Sequence, residues 1–94
     1  MDRAEALRRL GDLKPWLVAQ GVTRLRLFGS TARDEAGPDS DLDLLVDFES
    51  MPGLRLFTIE RELSEKLGVN VELVTERALA PDIRSTALKD VIDA

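Results

Sequence analysis

The chain has 94 residues, a length that fits one domain spanning 1–94 and leaves no room for two. Hydrophobic residues make up 44% and charged residues 33%, the composition of a soluble globular protein, and no apolar run nears the roughly 20 residues of a membrane helix. Absence of Cys and His excludes disulfides, thiolate metal sites and an imidazole base, and a net charge of −5 argues against direct nucleic-acid binding.

The N-terminus, Met1-Asp2-Arg3-Ala4-Glu5, is charged and lacks the apolar segment of a signal peptide, so a cytoplasmic location is expected. Ala4, Leu7, Leu10, Leu13 and Leu17 recur at helical spacing from residue 3 to about 20. Pro15 predicts a kink or two short helices near Lys14, and Gly21 ends the segment. Arg24 to Phe28 alternates polar and apolar, which predicts a strand with Leu25 and Leu27 inward. Gly29-Ser30 follows at once and opens a short helix to about Asp34, with Ser30 expected as its N-cap. Residues 36–40 read as a turn.

Asp41 to Asp47 predicts a second strand, with Leu42, Leu44 and Val46 on one face and Asp41, Asp43, Leu45 and Asp47 on the other. A second long helix is expected from Leu54 to Leu67, with Leu56, Ile59, Leu63 and Leu67 on its apolar stripe and Gly68 just past its end. Val69 to Val74 predicts a third strand, and Pro81 the first turn of a final helix running towards Ile92. The alternation argues for an α/β (α+β-like) domain: a short mixed sheet of about three strands covered by about four helices.

Chemistry concentrates between Phe28 and Asp47. A glycine lets a ligand approach the backbone closely, and N–H groups at a helix start favour an anion, so Gly29 and Ser30 suit a phosphate. The same two residues could equally be a turn and a cap. Period two puts the Asp41 and Asp43 carboxylates side by side, where they repel unless a cation lies between them, and oxygen-only donors suit Mg²⁺. The pair could also be a solvated strand end. Glu72 lies on the face away from Val71 and Leu73, and three carboxylates converge if that face also bears Asp41 and Asp43. Two rival loops fail on sequence. A calcium loop starting at Asp39 needs Gly where Leu44 stands and Glu where Ser50 stands. A P-loop needs Gly-Lys-Ser/Thr after Gly29, where the chain has Ser30 to Glu35.

In combination, Gly29-Ser30, a ten-residue spacer, Asp41-Leu42-Asp43 and the later Glu72 resemble the nucleotidyltransferase superfamily that includes DNA polymerase β. The likeness is closest to the minimal nucleotidyltransferases, many of which act as antitoxins beside a HEPN-domain ribonuclease toxin. The resemblance implies an enzyme transferring AMP from ATP to a partner protein. It implies two Mg²⁺ ions held by Asp41, Asp43 and Glu72, phosphates held by Gly29 and Ser30, and phosphate charge met by Arg33. It also implies a hetero-oligomer whose toxin subunit supplies an acceptor tyrosine, with Trp16, Met51, Leu54 and Phe57 as candidate contacts or simple core. Two positions depart from the pattern: Glu72 stands where Asp is usual, and Asp34 follows Arg33 where Gly is frequent. An antidote that neutralises by binding alone, or a nucleotide sensor, are the alternative readings.

Overall fold

The computed structural model describes residues 1–35, 37, 40–79, 81, 82, 88, 89 and 91–94. Asp2 starts the first helix, its carboxylate accepting from the Glu5 N–H at 2.8 Å. That helix, α1, spans Arg3–Asp12. Pro15 has no N–H to continue it but suits a first turn, so a separate helix, α2, runs Lys14–Ala19. Ala6, Leu10 and Leu17 carry the buried line, with Leu7 and Leu13 packed beside them. Ala4 is exposed instead of inward, because it lies roughly half a turn round the helix from Ala6.

Strand β1 (Val22–Phe28) leads into the four-residue helix α3 (Gly29–Ala32). Strand β2 (Leu42–Phe48), helix α4 (Arg55–Leu67) and strand β3 (Val71–Val74) follow. A single 3-10 turn covers Glu76–Ala78, and a short strand, β4 (Ile92–Asp93), ends the fold. Gly68, at φ 73, closes α4 in the left-handed conformation that a Cβ resists. Arg9 ties α1 to the same helix end, donating to the Leu67 carbonyl at 2.9 Å and the Lys66 carbonyl at 3.2 Å.

The sheet is mixed, in the order β3-β2-β1-β4, with β1 antiparallel to β2 and β4, and β2 parallel to β3. It thus has four strands where about three were expected. The additional strand falls at the end of the expected last helix. Pro81, Asp82, Leu88 and Lys89 are helical, and the residues between Asp82 and Leu88 lie outside the described set. Ile92 instead pairs with Leu27, and the Ala94 N–H donates to the Leu25 carbonyl at 2.9 Å, which covers part of the free edge of β1. Leu25, Leu27, Leu42, Leu44, Val46, Val71 and Leu73 fill one face of the sheet, packed with Ile59, Leu63 and Leu67 of α4. The candidate site occupies the other face.

Candidate active site

Register assembles the site. Phe28, the last residue of β1, pairs with Asp43, and Asp43 pairs across the parallel ladder with Glu72. Cross-strand partners share a face, so Phe28, Asp43 and Glu72 form one row. Asp41, two residues before Asp43 and exposed, adds a third carboxylate beside that row.

The turn after β1 is equally constrained. Thr31 and Ala32 are buried, which anchors α3 and leaves Gly29 and Ser30 half-buried at the surface. Gly29 has φ 73, and a Cβ there would come within 2.6 Å of Asp43 Oδ2. Two independent demands therefore require glycine: a left-handed backbone, and contact between that backbone and the strand carboxylate. The Gly-Ser turn and the Asp-x-Asp strand touch through this pair. Ser30 is not the N-cap. Phe28 occupies that position and no side chain caps the helix, because the turn folds into helix one residue earlier than expected, at Gly29.

Burial pushes the Asp43 carboxyl above its ordinary pKa. The charge of Glu72, then that of Asp41 and a side-chain hydrogen bond with Glu72, push in the same direction, while the Arg33 charge opposes them. Asp43 is thus a carboxylate held among carboxylates and short of cations. Arg33 lies within electrostatic reach, but its Nε donates to Glu35 Oε2 at 3.1 Å. Among the described residues, no three acidic side chains close into a ready-made metal cage. The donor set still fits Mg²⁺: hard oxygens, and mutual repulsion at Asp43 that a cation would relieve.

Sequence reasoning missed the burial of Arg26 on this face and the left-handed backbone of Asp34, a position it had marked only as a departure from the usual glycine. Arg26, read as a polar strand position, is only 5% exposed. Its Nη2 approaches Asp47 Oδ2 at 3.4 Å and Glu76 Oε2 at 3.9 Å, and its Nε has no hydrogen-bond partner among the described residues. The alternating pattern placed Arg26 on the right face, but its ion pair with Glu76 joins residues fifty apart in sequence, which no local pattern shows. Asp34 has φ 59, and its Oδ1 accepts from the Arg3 N–H at 3.3 Å. Glycine adopts this left-handed position without the steric cost that the Asp34 Cβ incurs. Clefts that do not include Asp43 occur among the described residues. One of about 300 Å³ is bordered by Leu17, Val22 and Asp93, another of about 390 Å³ by Phe48, Met51 and Glu76.

Comparison with known proteins finds relatives in sequence and in fold. The chain is 44% identical over 73 residues to the protein adenylyltransferase MntA of Thermococcus cleftensis, covering 77% of this chain and 74% of that protein. It is 38% identical over 80 residues to a candidate protein adenylyltransferase of Methanocaldococcus jannaschii, covering 84% and 86%. Among solved structures, a candidate minimal nucleotidyltransferase superposes with a TM-score of 0.81 at 41% identity, covering 98% of this chain and 95% of the other. A toxin–antitoxin structure with AMP-PNP superposes at 0.69 with 18% identity, covering 99% and 72%, a likeness of fold alone. Residues 4–94 match the nucleotidyltransferase domain. With its sheet, its Gly29–Asp43 contact and these relatives, the chain belongs to the nucleotidyltransferase domain family and is a nucleotidyltransferase.

Proposed function

We propose that this nucleotidyltransferase transfers AMP from ATP to a partner protein and thereby neutralises a toxin. The observation that carries the reading is the position of Asp43, in contact with Gly29 on one side and paired with Glu72 on the other. The protein adenylyltransferase names of the relatives support transfer to protein. The toxin–antitoxin structure with AMP-PNP supports a toxin as partner and an adenine nucleotide as donor. The superfamily resemblance points to a HEPN-domain ribonuclease as that toxin.

Asp41, Asp43 and Glu72 are the residues that would hold Mg²⁺, which supplies neutralisation of the triphosphate and activation of the acceptor hydroxyl when bound. The chain's own groups divide the remaining work. Gly29 and Ser30 leave the backbone accessible for the β and γ phosphates. Arg33, exchanging Glu35 for a phosphate oxygen, meets negative charge. Glu72 would either hold the metal or accept the proton of the attacking hydroxyl, and as the new bond forms at the α-phosphorus the β and γ phosphates would leave as pyrophosphate. Met51, Leu54 and Phe57 are 69%, 82% and 64% exposed and offer apolar surface to the partner. Trp16 packs against the core, under the Lys66 ammonium at 5.1 Å, and is left out of that surface.

Glu72→Gln provides the test, with ATP labelled in the α-phosphate, Mg²⁺ and the cognate toxin. Wild type is expected to label the toxin. The variant is expected to keep ATP–Mg²⁺ affinity within a few-fold and to transfer nothing. Neutralisation of a folded toxin by wild type without any label would instead establish an antidote that acts by binding alone.

A further inference from the structure

Strand β3 lies at the edge of the sheet, next to β2. An edge strand carries one row of backbone groups that no neighbouring strand can satisfy. Here side chains of helix α4 accept from two N–H groups of that row. Ser64 Oγ accepts from the Val71 N–H at 3.0 Å and donates to the Glu60 carbonyl at 2.9 Å. Glu60 Oε2 accepts from the Leu73 N–H at 2.9 Å. Glu60 and Ser64 are four residues apart and so share one helix face, next to the buried line of Ile59, Leu63 and Leu67.

The two amides held in this way are those immediately before and after Glu72. Covering an edge needs only a helix laid along it. Two directed acceptors, one of them a carboxylate, also resist sliding of the strand along its own axis. That motion matters here, because a slip of one residue would carry Glu72 from the Asp43 row to the core face. The ladder to β2 fixes β3 from one side, and the α4 side chains fix it from the other.

We propose that Glu60 and Ser64 are positioning residues: they hold the backbone on both sides of Glu72 so that its carboxylate stays opposite Asp43 for nucleotidyl transfer. The proposal rests on Glu72 being the third carboxylate of the site. Neither residue touches the reacting atoms.

The test uses the full chain with its toxin partner, labelled ATP and Mg²⁺. Misplacement of a catalytic group by about 1 Å can cost on the order of 100-fold, so a partial release predicts about a tenfold loss. Glu60→Ala is expected to lower kcat by about that factor, with the KM for ATP unchanged. Glu60→Gln keeps an oxygen acceptor and is expected to restore most of the rate. Amide hydrogen exchange is expected to speed up in Val71–Val74 of Glu60→Ala and Ser64→Ala while the other strands keep their protection. Wild-type kcat in Glu60→Ala, alongside an inactive Glu72→Gln, overturns the proposal. So does a loss that follows the unfolded fraction and is not restored by Gln. Full transfer by Glu72→Gln itself locates the failure in the reading of Glu72, whatever Glu60 does.

Discussion

The two faces of the β3-β2-β1 sheet are built from alternate residues of the same strands, yet they follow different physics. On the core face, Leu27, Leu44 and Leu73 form a row of buried leucines whose only demand is close packing. One residue along each strand, Phe28, Asp43 and Glu72 form the neighbouring row. There a half-buried carboxylate is held beside two others with one cation, Arg33, opposing their charge. Period two lets a strand serve both rows without compromise, because a side chain on one face does not touch its sequence neighbour. The lesson is a division of labour. The leucine face supplies the stability that allows the other face to keep a repulsive arrangement of carboxylates.

Substitutions at adjacent positions should expose that division. Leu44→Ala opens a cavity in the core and is expected to cost about 2–5 kcal/mol in denaturant unfolding. Asp43→Asn, the next residue back, is expected to melt at the same or a higher temperature without Mg²⁺ and to lose transfer. A large drop in melting temperature for Asp43→Asn would make the carboxylate structural and erase the contrast.

The pH dependence sharpens the contrast further. Asp43 has a raised pKa in the folded chain, so the folded state keeps a proton over a window in which the unfolded state has lost it. Stability from this group is therefore present at acid pH and is lost as pH rises from the ordinary Asp value through the folded one. Asp43→Asn lacks this loss. Melting curves at a series of pH values, without metal, should show the variant gaining on wild type as pH rises. A gap that narrows with pH would contradict the sign.

Two smaller effects concern the turn beside the site. With no side-chain cap on α3, Ser30→Ala should change stability by no more than about 0.5 kcal/mol. Transfer should nonetheless fall well beyond any change in folded fraction. Asp34→Gly relieves a left-handed aspartate at φ 59 and should gain about 0.5–1 kcal/mol, less whatever the bond from the Arg3 N–H contributes. Thermal unfolding of the two variants side by side checks both values.

Much of this contrast was legible in the sequence because it is local. Alternation in Leu25 to Phe28 and Leu42 to Val46 identified the strands and their faces, and Pro15 identified the break between α1 and α2. Other features depend on distant residues. Strand β4 is two residues long and exists through pairing with Arg26 and Leu27, which no local pattern announces. Leu45 lies on the site face and is nevertheless fully buried, where alternation alone leaves it open to solvent. The third strand starts at Val71, not Val69. Whether Glu72 shared a face with Asp43 depended on the register between β2 and β3, which periodicity within one strand leaves undetermined. The structure sets that register as Asp43 opposite Glu72.

The central claim is that Asp41 and Asp43 hold a nucleotide through Mg²⁺ on the face away from the core. Titration calorimetry of ATP against the metal-free chain, with and without Mg²⁺, tests it most directly. The account predicts ATP affinity that depends on Mg²⁺ in wild type, and loss of that dependence in Asp41→Asn/Asp43→Asn while the fold is retained. Equal affinity of the wild-type chain for ATP with and without Mg²⁺ would contradict it.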